Sequence, residues 1–494
     1  MGMVFLSSIL KKVGYDISCF DGSAPYISHK NEDLVNECIR LKPNVICVTA
    51  TTERAKFAYH LLCLLKNSLP DIPIVVGGPH ATIRPLEMVS FGFDLAVIGP
   101  AENRIVKIIQ AISNKDFGAL EKISGIAFNM PEGGIKFNKF YPLEEDGFDI
   151  DDLLPADFSC FEEKDYIKKK SDSYRYGALY VGRGCPGRCI YCDKSVFGRN
   201  LKIASADKIV ADMVSRRKKY YVDKFNFFDD TLLWNKKLVN ELSDKIIACP
   251  ELSGITWGCN ARADITDQKL LAKMKYAGCN LIVLGVESGE TETLVRIKKG
   301  INLETMLKAI DAILESGIKV YVNLMNGFPW QNMETIRAQI SLVQILKKKG
   351  VSLISAGSTV FPFPGTELFK EFSGRGYPLH NWWLRDDFFE KNNAKSLYNR
   401  EEKTPYYYKF VPPFCKIKHS EDFFGIYKDE NLRKATESLL NDIQEYNLNN
   451  GDSRYLKHKK VRSLIKGISE TLYWFSPSIE KWFWQKIGKI ALSK

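Results

Sequence analysis

Apolar positions in the first part of the chain alternate between two rhythms. From Phe5 to Val13 they fall at helical spacing and stop at Gly14, whereas Tyr15–Phe20 reads as a short strand ending at Asp21. The same reading predicts a helix over Glu32–Leu41, a strand over Val45–Thr49 and a helix over Lys56–Lys66. A strand over Ile74–Val76 is closed by Gly77-Gly78-Pro79, and Leu95–Ile98 and Arg104–Ile112 give a further strand and helix. Short apolar strands alternating with helices imply a doubly wound α/β sheet, whose ligands sit beyond the carboxyl ends of the strands. Residues 113–175 break the rhythm with turn-rich Met130-Pro131-Glu132-Gly133-Gly134, an acidic run over Asp149–Asp152 and a basic run at Lys168–Lys170. They are expected to form a connector with a small hairpin around Gly133-Gly134.

Alternation then resumes. Strands are expected over Leu179–Arg183, Lys224–Phe228, Ile255–Asn260, Asn280–Val286, Ile318–Asn323 and Val351–Ser355. Helices are expected over Ala206–Lys219, Lys236–Ala248, Gln268–Tyr276, Glu304–Glu315 and Met333–Lys349. About six βα units in succession make part of a parallel barrel, with chemistry at the strands' C-terminal ends. After Pro364 the chain turns aromatic (Trp382, Trp383, Phe388, Phe389, Tyr406), and residues 451–494 carry ten Lys/Arg against three Asp/Glu, interleaved with Trp474, Trp482 and Trp484.

Length and composition narrow the class. The 494 residues, 45% hydrophobic and 26% charged, fit two to four domains and exclude a disordered or collagen-like chain. No run of 18 or more apolar residues is present, so a spanning helix is not expected. Met1-Gly2-Met3-Val4-Phe5-Leu6 lacks the basic region and cleavage site of a secretory signal, so the expected location is cytoplasmic. The net charge is +11, much of it in the tail. That tail reads first as a solvated helical subdomain. A membrane-surface contact at the inner face of the membrane is the second reading, and nucleic acid the least favoured, since no RNA-binding motif is present.

Three of the twelve cysteines carry the chemistry. Cys185, Cys189 and Cys192 form C-x3-C-x2-C just after an expected strand, in the loop Gly182-Arg183-Gly184-Cys185-Pro186-Gly187-Arg188-Cys189. Thiolates suit soft metals and iron–sulfur clusters, and Gly and Pro let backbone wrap closely round an ion. Three protein donors on a [4Fe–4S] cubane leave one iron open to a small molecule. Zinc is the competing reading, but it takes a closed set of four and no second C-x2-C pair occurs. Cys259 and Cys279 remain distant candidates for a fourth ligand, although both fall in or beside expected strands. The other cysteines, as in Ile46-Cys47-Val48, read as small core hydrophobes.

With Tyr191 before its last cysteine, the motif resembles the hallmark of the radical S-adenosylmethionine superfamily, which places it after the first strand of a partial (βα)6 barrel. The resemblance implies that Cys185, Cys189 and Cys192 hold the cluster. Its open iron would chelate S-adenosylmethionine, and one-electron reduction by a donor such as flavodoxin or ferredoxin would release a 5′-deoxyadenosyl radical. It also implies cofactor contacts at successive strand ends. These are Asp229 and Asp230 at the methionine amine (where many members have a Gly-Gly-Glu motif), Arg262 at the methionine carboxylate, Glu287 and Ser288 on the ribose and methionine side, and Gly327 and Pro329 at the adenine-side turn. No catalytic side chain is assigned.

Gly77, Gly78 and His80, in a doubly wound domain upstream of such a barrel, resemble the cobalamin-binding domain of cobalamin-dependent radical enzymes. Asp94–Glu102 and Leu153-Leu154-Pro155-Ala156-Asp157 fit the same resemblance. The D-x-H-x-x-G motif is absent, so His80 is expected in a loop near the corrin tail rather than on cobalt, and His60 in a helix. Family members begin with one more strand, central in the sheet, that Gly2–Leu10 does not provide; either the start codon is called late or the domain is damaged.

The expected organisation is a flavodoxin-like cobalamin-binding domain over 1–125, a linker over 126–175, the radical barrel over 176–372 and an aromatic, basic, mostly helical region over 373–494. The expected activity is methylation of an unactivated carbon in a small or lipid-like molecule. Ring cyclisation or rearrangement of a tetrapyrrole- or lipid-like substrate is the enzymatic alternative, and a non-catalytic cofactor-binding or regulatory protein the alternative of another class. A methylthiotransferase is disfavoured, because Cys19, Cys38, Cys47 and Cys63 form no second cluster motif.

Overall fold

The computed structural model describes residues 2–21, 31–140, 149–153, 155–163, 167, 170–229, 232–373, 375, 382–384 and 429–450. Asp230, the aromatic residues from Phe388 to Phe424 and the basic tail 451–494 lie outside the described residues.

The first half is laid down as α1 (Gly2–Lys12), α2 (Asn31–Leu41), β1 (Ile46–Thr49), α3 (Ala55–Ser68), β2 (Ile74–Gly77), α4 (Pro79–Ile83), α5 (Pro85–Ser90) and β3 (Leu95–Val97). Then come α6 (Ile105–Ser113), α7 (Phe117–Leu120) and the antiparallel pair β4 (Ile126–Asn129) and β5 (Ile135–Asn138). The sheet order is β1-β2-β3-β4-β5, with β1, β2 and β3 parallel. The hairpin expected around Gly133-Gly134 therefore forms, but it extends the N-terminal sheet instead of standing in a connector. Buried Ile126, Ala127 and Phe128 pair with Val97, Ala96 and Leu95, so this sheet runs to residue 138, beyond the expected limit at 125.

Tyr15–Phe20 does not become a strand. Its one ladder contact among the described residues is an isolated parallel bridge from Cys19 to Phe161, and β1 stands at the edge of the sheet.

The second half holds β6 (Ala178–Leu179), β7 (Gly182–Arg183) and β8 (Lys202–Ile203), α8 (Ala206–Tyr220), β9 (Lys224–Phe227), α9 (Lys236–Ala248), β10 (Thr256–Arg262) and α10 (Gln268–Tyr276). It continues through β11 (Cys279–Glu287), α11 (Thr291–Arg296), α12 (Leu303–Glu315), β12 (Lys319–Asn326), α13 (Met333–Lys349), β13 (Leu353–Thr359) and α14 (Glu367–Ser373). Six strands run parallel in the order β6-β9-β10-β11-β12-β13, the open barrel expected from six βα units.

Local chemistry sets these boundaries. Ser205 caps α8 by accepting from the Lys208 amide, and Asn332 with Thr335 forms a capping box on α13, which stops at Gly350 at φ +75°. The last described helix, α15 (Glu430–Asn449), covers the β13 edge. Asn447 accepts from the Ile354 amide at 3.0 Å and donates to the Ile354 carbonyl at 2.7 Å, so the edge is paired by a side chain.

One apolar cluster runs from β1 and α3 through the barrel to Trp382 and Trp383, both fully buried. No helix among the described residues is long and apolar enough to cross a membrane.

Candidate functional site

The three cysteines lie where expected, in the loop between β7 and β8 at the carboxyl end of β6. All three are half-buried, and none is in a disulfide. The loop is fixed by backbone bonds at both ends: the Cys185 amide donates to the Gly198 carbonyl, Ile190 to Ile297, and Leu368 back to Ile190. Gly184, at φ +82°, has no room for a side chain, since a Cβ would collide with the Asn200 carbonyl. A Cβ at Gly187 would stand 3.3 Å from Cys185 Sγ, so a bare backbone faces the sulfur. Lys194 lies against Cys185 and Cys192. Burial opposes its charge, yet the neighbouring sulfurs of Cys192 and Cys185 outweigh that and raise its pKa.

Among the described residues, no three His, Cys, Asp or Glu side chains form a group that could hold a single metal ion. The donor set fits a cubane, in which each thiolate binds a different iron, better than a closed tetrahedral zinc site. Cys259 and Cys279 do not join it. They are buried on neighbouring strands, where the Cys279 thiol beside it and burial together raise the Cys259 thiol well above its ordinary range. Cys279 opens β11 at the far end of the barrel from the loop.

The sequence-predicted contacts gather at the strand ends, though not all in the expected way. Tyr191 donates to Glu287 Oε1 at 3.0 Å, and Lys299 Nζ reaches the same oxygen at 2.9 Å. Burial, with Glu287 and the thiols of Cys189 and Cys192, pushes the Tyr191 phenol far up, so it stays a donor. Glu287 ends β11 at φ +70°, at a register shift against β12, in a conformation that costs a non-glycine residue energy. Gly285 clears space for the pair, since a Cβ there would collide with Glu287 Oε1 and stand 2.9 Å from Lys299 Nζ. Gln339 ties the next strand in: its Nε2 donates to the carbonyls of Glu287 and Met325, and its Oε1 accepts from the Gly289 amide at 2.7 Å. Ser288 is buried and accepts from the Glu290 amide.

Arg262 lies 4.6 Å over the Trp234 ring and reaches Asp264 at 3.3 Å and the carbonyls of Lys299 and Gly300 at 3.4 Å. In the turn after β12, Gly327 (φ +86°) donates to Gln331 Oε1, and Phe328 stacks on Trp330 and meets Tyr191 edge-on. Pro329 follows, half-buried. Gln331 Nε2 is buried with no partner among the described residues, a donor left over for a ligand.

Asp229 is placed differently from the expected methionine contact. Its two oxygens accept from the amides of Val181 (2.9 Å) and Gly182 (2.7 Å), so it anchors the strand that leads into the cysteine loop. Burial pushes its carboxyl up to about 6, against the two amides and Arg183, which favour its charge. A carboxyl raised on folding stabilises the fold fully below its ordinary pKa of 3.8, and that contribution disappears as pH rises through about 6. Asp229→Asn is therefore expected to abolish a loss of stability on the order of 3 kcal/mol between pH 4 and 7, read from urea midpoints across that range.

In the N-terminal domain, Gly78 (φ +93°) is required because a Cβ would stand 2.7 Å from Thr49 Oγ1 and 2.9 Å from the Ala50 carbonyl. Gly77, which ends β2, is half-buried beside it. His80 needs correction. It belongs to α4 rather than a loop, is wholly buried, and has Nδ1 3.2 Å from Thr52 Oγ1 and Nε2 3.3 Å from Glu87 Oε1. Glu87 also accepts from Tyr59 (2.7 Å) and Trp383 (2.9 Å), so the histidine is part of a closed polar core and presents no surface to a ligand. His60 lies in α3, as expected. The hydroxyl of Thr51, after β1, and Nε of Arg84 are buried and unpartnered among the described residues.

The two domains meet at their strand ends. A Cβ at Gly365 would stand 3.3 Å from Asp193 Oδ1, next to Cys192, and 3.5 Å from Ile83 of α4. Arg183, leading into the cysteine loop, pairs with Glu102 at 3.5 Å, both nearly fully buried.

Lys299, Gln339 and Lys194 were missed in the sequence. Gln339 left a signal, being a polar residue in the middle of the buried face Ile336, Gln339, Leu342, Val343, Leu346 of α13, beyond the capping Thr335. Lys299 left none, because Ile297-Lys298-Lys299-Gly300 reads as a solvated turn.

Comparison with known proteins agrees with this architecture. Residues 179–343 match the Radical SAM superfamily and residues 1–109 the B12 binding domain. The chain is 27% identical to the uncharacterized methyltransferase PH0819 of Pyrococcus horikoshii over 75% of this chain and 77% of that protein. It is 26% identical to the anaerobic magnesium-protoporphyrin IX monomethyl ester cyclase of Rubrivivax gelatinosus over 76% of this chain, which spans only 66% of the cyclase. In fold it is similar to the radical S-adenosylmethionine methyltransferase TsrM of Kitasatospora setae, at TM-score 0.62 and 18% identity over 76% of this chain and 74% of that one. It is also similar to the cobalamin-dependent S-adenosylmethionine radical enzyme OxsB, at TM-score 0.64 and 14% identity over 94% and 72%. The cofactors these domains imply are a [4Fe–4S] cluster, S-adenosylmethionine and cobalamin. The chain thus carries a B12 binding domain upstream of a radical S-adenosylmethionine barrel whose cysteine loop faces it, the domain pair of the cobalamin-dependent radical S-adenosylmethionine enzymes it resembles.

Proposed function

We propose that the enzyme methylates a carbon of a small or lipid-like molecule held between the cysteine loop and the strand ends of the N-terminal domain. The observation that carries this reading is the apposition of Gly365, Asp193 and Ile83, which sets the ligand-binding ends of both sheets against one another. When bound, the cluster with S-adenosylmethionine supplies a 5′-deoxyadenosyl radical, and cobalamin supplies the methyl group.

In this reading Cys185, Cys189 and Cys192 hold the cluster, with the Lys194 ammonium beside two of the sulfurs. Arg262 pairs with the methionine carboxylate while its ring partner Trp234 holds the guanidinium. Ser288 and the Gly327–Pro329 turn, with the spare donor of Gln331, line the ribose and adenine side. Glu287, Lys299 and Gln339 keep β11, β12 and Tyr191 in register. In the N-terminal domain the Gly77-Gly78 turn and Thr51 face the corrin, while His80 holds the turn from beneath. Electrons come from a small protein donor such as flavodoxin or ferredoxin.

Relatives named methyltransferase and relatives named cyclase both align over about three quarters of the chain, so product mass is the test. After anaerobic reconstitution and reduction, the expected result is 5′-deoxyadenosine together with a product heavier by one methyl group. A product lighter by hydrogens would replace methylation by cyclisation, and reconstituted enzyme that forms no 5′-deoxyadenosine would leave a non-catalytic binding protein.

A further inference from the structure

A continuous run of contacts joins the glycine turn of the N-terminal domain to the first cysteine of the loop. At one end, the Thr82 hydroxyl of α4 donates to the Gly78 carbonyl at 3.0 Å and accepts from the Gly99 amide at 2.9 Å. Gly99 opens the turn Gly99-Pro100-Ala101-Glu102 that follows β3. Arg104 braces that turn, since it is buried and donates to the carbonyls of Ile98 (2.9 Å), Pro100 and Ser124. Glu102, at the end of the turn, meets Arg183 of the barrel. Gly184 alone separates Arg183 from Cys185, so the loop's first thiol follows the position of that arginine. On the barrel side, Asp229 clamps the same stretch through the amides of Val181 and Gly182.

The pair itself is poorly arranged for stability. Its side chains are 5% and 8% exposed, yet they touch at 3.5 Å, the outer limit of a contact. Arg183 Nε is buried with no partner among the described residues, while Nη1 donates to the adjacent Gly182 carbonyl at 2.9 Å. Glu102 has Arg183 as its one polar partner among the described residues. The guanidinium lies 5.6 Å from the Phe5 ring and 4.9 Å from that of Phe197, surroundings that apolar side chains would also fill. A buried ion pair is often no more stabilising than packed apolar side chains of the same volume. What it can add is register, because a small slide breaks it whereas apolar contacts tolerate one.

We propose that Arg183 and Glu102 are positioning residues, whose pair fixes where the cysteine loop stands against the Gly77-Gly78 turn. This rests on the functional reading above, which puts the cluster at one end of the run and the corrin at the other. Two cofactors that act on one molecule need a set separation. The ion pair, continued through Thr82, sets it with this chain's own side chains. Arg183 acts through Cys185, and Glu102 acts through the Gly99 turn and Gly78.

The test reads amide hydrogen exchange in the full chain and spin–spin coupling in the reconstituted enzyme. Glu102→Gln and Arg183→Gln are each expected to speed exchange of the Cys185 and Gly99 amides at least about tenfold. The two changes together should speed it no further, because they cut the same link. Arg183→Lys, which keeps the charge, is expected to retain most of the protection. The apolar pair Arg183→Met with Glu102→Leu separates positioning from stability: its urea midpoint should lie near wild type while both amides stay fast. With cob(II)alamin and the reduced cluster bound, the magnetic coupling of the two spins should give one narrow separation in wild type and a broad distribution in the apolar pair. An apolar pair with wild-type exchange and a narrow separation overturns the proposal, as do single variants whose two amides exchange at the wild-type rate. A chain that takes up neither cofactor would remove the functional reading, while the exchange rates still decide whether loop and turn are coupled.

Discussion

Replacing Cys185, Cys189 and Cys192 together by alanine is expected to abolish 5′-deoxyadenosine formation, a fall of more than about a thousandfold or about 4 kcal/mol in the barrier. The same variant should lose the brown colour of the reconstituted protein and the paramagnetic signal of its reduced form. The fold should survive. The loop's anchors are backbone bonds from Cys185 to Gly198, Ile190 to Ile297 and Leu368 to Ile190, which alanine retains. The thiols themselves are half-buried and in no disulfide. Circular dichroism and the urea midpoint should therefore stay near wild type while the cluster signals vanish. A triple variant that keeps colour, signal and turnover would place the cluster elsewhere and remove the functional reading. Single replacements test the same point more gently, since two thiolates hold a cubane poorly and the signals should fall without vanishing.

Lys299→Met is expected to have the largest effect on stability. Lys299 and Glu287 form a pair at 2.9 Å with both side chains about nine-tenths buried. Removing the ammonium leaves a carboxylate with the Tyr191 hydroxyl as its remaining side-chain donor. Breaking a buried pair from one side costs about 3–5 kcal/mol, because an uncompensated charge stays inside. The double variant Lys299→Met with Glu287→Gln removes both charges and is expected to recover most of that loss. Tyr191→Phe removes one hydrogen bond and should cost only about 1 kcal/mol. Urea midpoints of the four proteins check the order. The pair also has a consequence for the site. Glu287 holds β11 at its positive φ, and Gln339 reads its carbonyl, so Lys299→Met is expected to weaken S-adenosylmethionine binding as well. If the single variant is as stable as the double one, the pair does not hold β11, and the strain at Glu287 has another source.

Arg183 shows why such links escape a reading along the chain. It pairs with Glu102, eighty-one residues away, and lies 5.6 Å from the Phe5 ring and 4.9 Å from that of Phe197. Each partner belongs to a different segment, and none has a spacing that marks it. Periodicity reports which face of an element is buried, not what that face meets. For the same reason His80 read as a loop residue beside a glycine turn. Its burial depends on Trp383, which arrives from beyond the barrel to bond Glu87 and to meet the imidazole edge-on.

What a linear reading does capture is local. The helical and alternating patterns located α2, α3, β2, β3 and all six barrel strands, because side-chain direction repeats at 3.6 or 2 residues whatever the neighbours are. The cysteine spacing and the glycines around it exposed the cluster loop, because the close approach of backbone to a ligand is written in consecutive residues. The Tyr15–Phe20 pattern is equally extended and apolar, yet it forms no strand, since a strand exists only with a partner and its pairing among the described residues is a single bridge to Phe161. The hairpin at Gly133-Gly134 was legible as a turn, but not its attachment to β3, which is a choice among edges. Asp229 read as a ligand contact and became an anchor for Val181 and Gly182, because long-range hydrogen bonds are settled by which amides packing leaves unpaired. Backbone conformation follows from neighbours in the chain, whereas partners follow from neighbours in space, and folding alone supplies those.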